Sequence, residues 1–121
     1  FELAQLTEKD WTMEELVAKG EGIYQMNCVA CHQVNGAGIP GIFPALAGSD
    51  IVMNNKPRNV EILMEGVQGA AMQSFANQLS EVDMAAVITY TRRAWGNDAK
   101  GDGEIVVPKE IVEYKENKIK I

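Results

Sequence analysis

A chain of 121 residues holds two cysteines and one histidine, and all three fall within five positions, Cys28-Val29-Ala30-Cys31-His32. Two thiols three apart can each close a thioether to a vinyl group of one porphyrin. The imidazole beside them is then carried under the iron as an axial ligand. Cys-x-x-Cys-His is the attachment pattern of a c-type haem. Other uses of these residues fit less well. A thioredoxin-like dithiol wants a βαβ setting, and no strand-like run precedes Cys28. A structural zinc site needs four ligands, commonly as two spaced pairs, and there is no second pair. A buried pair of structural thiols would leave His32 unexplained.

His32 supplies one axial bond, and no second histidine exists for the other. Methionine, lysine, water or an open site remain. The methionines are Met13, Met26, Met53, Met64, Met72 and Met84. Met13 and Met26 precede the attachment point, and Met53, Met64 and Met84 sit at helical spacing, where methionine is usually core filler. Met72 alone lies in a loop of small residues, after Gly69, Ala70 and Ala71, which would let the backbone bring a thioether to the iron. Core packing is the competing role. A thioether opposite an imidazole favours Fe(II), raises the potential and closes the site to oxygen and peroxide. A carbonyl near Pro44 could take the His32 Nδ1 proton and fix the tautomer.

The elements that must position these groups are helical. Thr12 with Glu15 forms a capping box opening a helix to about Asn27, with Leu16, Gly20, Ile23, Tyr24 and Asn27 on one face. Gly20 and Gly22 each cost about 1 kcal/mol against Ala in a helix, so something is expected to approach both closely. Trp11 reads as a packing residue. Gln33–Gly48 is a loop of turns, and its apolar Val34, Ile39, Ile42, Phe43 and Leu46 are expected to lie against an apolar object such as a porphyrin face. Ser49 caps a short helix from Asp50 to about Asn54. Pro57 starts another, with Val60, Leu63 and Met64 on its stripe and Gly66 at its end. Val67–Leu79 is irregular. Ser80 with Asp83 opens the strongest helix, Glu81–Trp95, through Met84, Val87, Ile88, Thr91 and Trp95, closed by Gly96. Asn97–Gly103 reads as a polar linker, and 104–121 as a tail that either wraps the surface or is unstructured. The fold class is all-α: a lead-in at 1–10, a domain at 11–97 and a C-terminal extension at 98–121.

The totals limit partners. The net charge of −6 argues against nucleic acid and anionic lipid and for a basic protein partner. No segment has the length and apolarity of a membrane span. The chain begins at Phe1, which suggests a processed product or a piece of a longer polypeptide.

Taken together, Gly20-x-x-x-Tyr24-x-x-x-Cys28-Val29-Ala30-Cys31-His32, then Gly38-Ile39-Pro40, Phe43-Pro44-Ala45-Leu46-Ala47-Gly48, Met72 and Val87-Ile88-Thr89-Tyr90 resemble a Class I cytochrome c. The resemblance implies that Gly20 and Tyr24 cross the last helix near Tyr90. It implies that Pro44 sits beside the proximal histidine and that Met72 is the distal ligand. One covalent haem c would be held through Cys28 and Cys31, with contacts from Tyr24, Ile39, Phe43, Pro44 and Trp95. Trp11-Thr12-Met13-Glu14-Glu15-Leu16, Asn77-Gln78-Leu79-Ser80 and the run Ala85 to Asn97 are similar, more narrowly, to the cytochrome domain at the C-terminus of subunit II in caa-type cytochrome c oxidases. That likeness covers about residues 10–108. It implies one-electron transfer from a soluble cytochrome c or the bc complex to the copper centre of the same subunit. The setting would be the periplasmic side of the bacterial membrane, tethered through the parent subunit, with no catalytic site of its own. The haem edge would be ringed by Val29, Ala30, Ile39, Pro40, Ala70 and Ala71. Lys56 and Arg58 are candidates for a propionate, against the plainer reading of a solvated helix end. Two alternatives stand: a free-standing periplasmic shuttle, and a five-coordinate gas-binding or peroxidatic haem protein.

Overall fold

In the computed structural model the described residues are 9–70 and 72–120, with side chains described to 117. The lead-in at 1–8 and the haem-edge expectation for Ala71 lie outside them. Seven α-helices follow in chain order among the described residues: α1 Met13–Asn27, α2 Val29–His32, α3 Asp50–Asn54, α4 Lys56–Glu65, α5 Glu81–Arg93, α6 Asn97–Lys100 and α7 Pro108–Lys120. Among the described residues the one β-type pairing is an isolated antiparallel bridge between Ile39 and Phe43. The all-α architecture is the one expected.

The helix starts follow local chemistry. Thr12 accepts from the Glu15 backbone N–H while the Glu15 carboxylate takes the Thr12 N–H at 3.0 Å, a complete capping box. Ser49 and Ser80 cap α3 and α5 with their hydroxyls alone, accepting from Val52 and Asp83 N–H. The start of α4 has a cap the sequence did not advertise, the Asn55 side chain accepting from Arg58 N–H at 3.2 Å.

The core is the crossing of α1 on α5. Leu16 and Tyr24 from α1 meet Met84, Ala85, Val87 and Ile88 from α5, all buried. Gly20 lies at the crossing. A Cβ built there would stand 2.1 Å from the Ala86 carbonyl oxygen and 2.7 Å from Tyr90 Cβ, so only hydrogen fits. Gly22 departs from expectation: its Cβ would meet nothing within 4 Å. Two residues on is about 200° round the helix, so Gly22 faces away from α5. Met53, Met64 and Met84 are buried core residues, as their helical spacing implies.

The end of α5 and everything after it depart furthest from the sequence reading. The helix stops at Arg93 and a 3-10 turn, Ala94–Gly96, follows. Trp95 there has φ 56 and ψ 30, and Gly96 has φ 84. A left-handed backbone costs an L-residue about 1–2 kcal/mol. The two residues in succession turn the chain back on itself. The expected polar linker is instead the short helix α6, and its first residue, Asn97, is completely buried.

The tail is strapped across α5. Val106 and Ile111 are fully buried, each side chain contributing about 1.5–3 kcal/mol on burial. Thr89 Oγ1 donates to Val106 C=O at 2.9 Å and accepts from Val106 N–H at 3.0 Å. The buried Arg92 guanidinium donates to the carbonyls of Glu104, Val52 and Met53 at 2.9, 3.0 and 3.1 Å and pairs with the Asp102 carboxylate. One side chain thus ties α3, α5 and the tail together.

Candidate haem site

Cys28 joins two helices. Its N–H closes α1 on Tyr24 C=O, and its own carbonyl accepts from Cys31 N–H at 3.2 Å and His32 N–H at 2.9 Å. This turn sets Cys28 at the N-cap of α2 and carries Cys31 and His32 at its end. Both thiols are half-buried and free of a disulfide. Before any attachment, burial, then the neighbouring Cys31, pushes the free Cys28 thiol up to about 11.

The imidazole is oriented from the following loop. His32 Nδ1 lies 3.0 Å from Pro44 C=O. A carbonyl only accepts, so Nδ1 carries the proton and the Nε2 lone pair is left for a metal. Pro44 is held there by the loop itself. Gly38 N–H donates to His32 C=O at 3.0 Å, Ile39 and Phe43 exchange two hydrogen bonds of 2.9 and 2.8 Å, and Gly36 C=O takes the N–H groups of Leu46 and Ala47. At Gly38, with φ +64, a Cβ would stand 2.4 Å from Phe43 C=O and 2.6 Å from Pro44 C=O. The acceptor of the His32 proton packs directly on a glycine.

Tyr24 and Trp95 bind this loop to the core. Tyr24 Oη donates to Gln33 C=O at 2.6 Å, and Trp95 Nε1 to Val34 C=O at 2.9 Å. With Tyr90 the two form an aromatic triangle whose ring centres are 5.2–5.7 Å apart, favourable spacings for tilted and edge contacts. Burial, then Cys28 and Tyr90, holds the Tyr24 phenol above its ordinary value, so it remains a donor.

Cys28, Leu46, Met72 and Trp95 all pack on the same hydrophobic cluster, of which Tyr24 is a member. Met72 is half-buried, and its carbonyl accepts from Val67 N–H at 2.9 Å. Gly66, at φ +75, makes room, since a Cβ there would be 2.8 Å from Met72 C=O. The backbones of Ile39 and Phe43 pair with each other across the loop. The protein itself does not cover Val34 and Ile42, which are 71% and 69% exposed. A hollow of about 480 Å³ follows this loop, lined by Ala37, Pro40, Ile42, Phe43 and Pro44 among others. A hollow of similar size, about 490 Å³, lies between α4 and the tail and touches no residue of the motif, so size does not mark the site. The propionate candidates are both engaged: Lys56 with Glu104 and Glu110 at 3.2 Å each, and Arg58 with Glu61 at 2.6 Å. Sequence reasoning gave no role to the Asn97 side chain or to Gly36, since both depend on what the folded loop brings against them.

Among the described residues no group of three or more His, Cys, Asp or Glu could hold a bare metal ion. One Nδ1-protonated imidazole, one half-buried thioether and two thiols on a single turn fit an iron that brings its own macrocycle. Fold and donor set together define a c-type cytochrome domain.

The relatives agree. Residues 15–90 match the family described as cytochrome c oxidase, cbb3-type, subunit III, and the chain belongs to this family of c-type cytochromes. It is 39% identical to cytochrome c-552 of Thermus thermophilus, over 71% of this chain and 75% of that protein. It is 34% identical to the cytochrome c subunit of a quinone-linked alcohol dehydrogenase of Gluconobacter oxydans, over 68% of this chain. It is 26% identical to the cytochrome c subunit of a gluconate 2-dehydrogenase of Pantoea cypripedii, over 81% of this chain. The chain spans only 19% and 24% of the lengths of those two dehydrogenase subunits. Membership brings with it one covalently bound haem c and electron transfer to redox partners. Among the described residues no helix is long and apolar enough to cross a membrane.

Proposed function

We propose that this domain relays single electrons from a soluble cytochrome c or the bc complex to the copper centre of a cytochrome c oxidase subunit II. Cys28 and Cys31 would hold the haem through thioethers, and His32 and Met72 would bind its iron. When bound, the haem supplies a one-electron Fe(III)/Fe(II) couple. The chain's residues do the rest. Pro44 C=O holds the His32 proton on Nδ1 and keeps Nε2 available. The Met72 thioether would also bind the iron and leave no place for substrate chemistry. Ile39, Phe43 and Pro44 shield the proximal side, and Tyr24 and Trp95 brace it from behind. Residues 11–97 form the electron-transfer unit and 98–121 its extension, on the periplasmic side of the membrane and tethered through a parent subunit.

The observation that carries this reading is the His32 Nδ1–Pro44 C=O contact of 3.0 Å on the turn that also bears both cysteines. The test of ligation is an absorption spectrum of both redox states. A far-red thioether–iron band in the oxidised form is expected, and rapid CO binding by the reduced form would remove Met72 and revive the gas-binding alternative. The test of the partner is stopped-flow mixing of the reduced domain with an oxidised subunit II copper domain. Failure to transfer there, with fast transfer to other acceptors, would favour a free-standing shuttle, a reading supported by the likeness to cytochrome c-552.

A further inference from the structure

The geometry points to Asn97 as a positioning residue for the His32 imidazole, acting through the loop that carries Pro44; this rests on the reading of His32 as an iron ligand. Asn97 is fully buried and every polar atom of its amide is used. Oδ1 accepts from Gly48 N–H at 2.8 Å, and Nδ2 donates to Leu46 C=O at 3.2 Å and to Thr91 C=O at 2.8 Å. Nδ2 is therefore anchored on α5 through Thr91. Both ends grip the loop, Nδ2 two residues and Oδ1 four residues beyond Pro44.

The entrance of the same loop is gripped by Trp95. Its Nε1 bonds Val34 C=O, and its ring lies so close to Gly36 that a Cβ there would be 2.6 Å from Cε3. Gly36 C=O in turn takes the N–H groups of Leu46 and Ala47 at 2.7 and 3.0 Å, which closes the two limbs on each other. Residues two apart on a continuous helix point about 200° from one another, so Trp95 and Asn97 could not both face one loop. The left-handed φ values of 56 at Trp95 and 84 at Gly96 are what allow it. An observed backbone outlier of this kind is a reason to look for a function, and here the outlier completes a clamp. From Asn97 the restraint passes to Leu46 and Gly48, then to Pro44 C=O, then to the Nδ1 proton of His32. A fully satisfied buried network of this sort rigidifies what it touches.

The test is hydrogen exchange of the His32 Nδ1 proton, followed by NMR in the reduced, haem-loaded full chain. Asn97→Asp keeps the shape and the Gly48 contact but sets an oxygen against two carbonyls. It should speed exchange at least tenfold. Trp95→Phe keeps a ring over Gly36 without the Val34 bond and should speed it severalfold, which keeps the test alive if Asn97→Asp does not fold. Thr89→Val removes the Val106 bonds on the far side of α5 and should lower stability while leaving exchange within twofold of the parent. Equal acceleration in Asn97→Asp and Thr89→Val, or none in Trp95→Phe, overturns the positioning role. A parent His32 ring proton without the shift of an iron-bound imidazole overturns the ligation reading, and the positioning role with it.

Discussion

Replacing Gly20 or Gly22 by alanine is the same chemical change two residues apart, and the two should move stability in opposite directions. At Gly20 the new methyl would sit 2.1 Å from Ala86 C=O and 2.6 Å from the carbonyl carbon. Ordinary contact begins near 3.4 Å, so the shortfall exceeds an ångström. The obstacle is helix backbone, which cannot rotate aside as a side chain would, and α1 must lift off α5. Overpacking of this type costs about 1–3 kcal/mol or more, against a helix-propensity gain of about 1 kcal/mol. The net expectation is a loss of about 2 kcal/mol. At Gly22 nothing lies within 4 Å, and the propensity gain of ~0.5–1 kcal/mol stands alone. The two variants should therefore differ by roughly 3 kcal/mol, or about 10 °C in Tm for a domain of this size. Urea unfolding of the haem-loaded proteins, followed by far-ultraviolet circular dichroism, measures it. A Gly20→Ala protein as stable as Gly22→Ala would refute the backbone-to-backbone crossing.

Other changes test other parts. Met72→Ala should lower the reduction potential by on the order of a tenth of a volt or more, within the ~0.8 V that axial ligation commands; an unchanged redox titration would remove Met72 from the iron. Arg92→Met takes the guanidinium donor from the carbonyls of Val52 and Glu104, leaves Met53 C=O with the Asp102 N–H alone, and should cost at least ~3 kcal/mol in urea unfolding. A loss under 1 kcal/mol would mean the tail does not depend on this knot. The hydrogen bond from Arg92 holds the Asp102 carboxyl below the ordinary aspartate value of 3.8. The unfolded chain then binds more protons just below that value, so this contribution is fully present above about pH 4 and is lost as pH falls through the folded-state value. Asp102→Asn should flatten the acid limb of the stability profile, and an unaltered limb would contradict the pairing.

What could be read from sequence was what is decided locally. The capping signals at Thr12, Ser49 and Ser80 act within four residues, and each marked a helix start correctly. The spacing of Cys28, Cys31 and His32 needs no tertiary knowledge either. Gly20 and Gly22 show where local reading ends: both cost the same in isolation, and only helical phase against a partner separates them. Arg92 reads as an ordinary cation in the last turn of a helix, yet its buried role depends on carbonyls 39 and 40 positions upstream. Trp95 kept the helical period after the backbone had left the helix. Asn97 looked like a loop residue because its three partners are assembled only when the chain turns back. The charged-apolar pattern of 104–120 could not reveal α7 as a strap until the exposed flank of α5 was in view.

The contact of Gly20 with Ala86 has a kinetic consequence. It joins two points far apart along the polypeptide, and drawing them together from an open coil forfeits about 4 kcal/mol of chain freedom before any attraction there is felt. The crossing is therefore a late event unless the intervening segment has already condensed. Every early contact within residues 28–80 shortens the effective distance and hastens the final zipping of α1 onto α5. Newly made chains in which that middle stretch stays slack will leave two apolar helix faces bare for longest, and there self-association should begin.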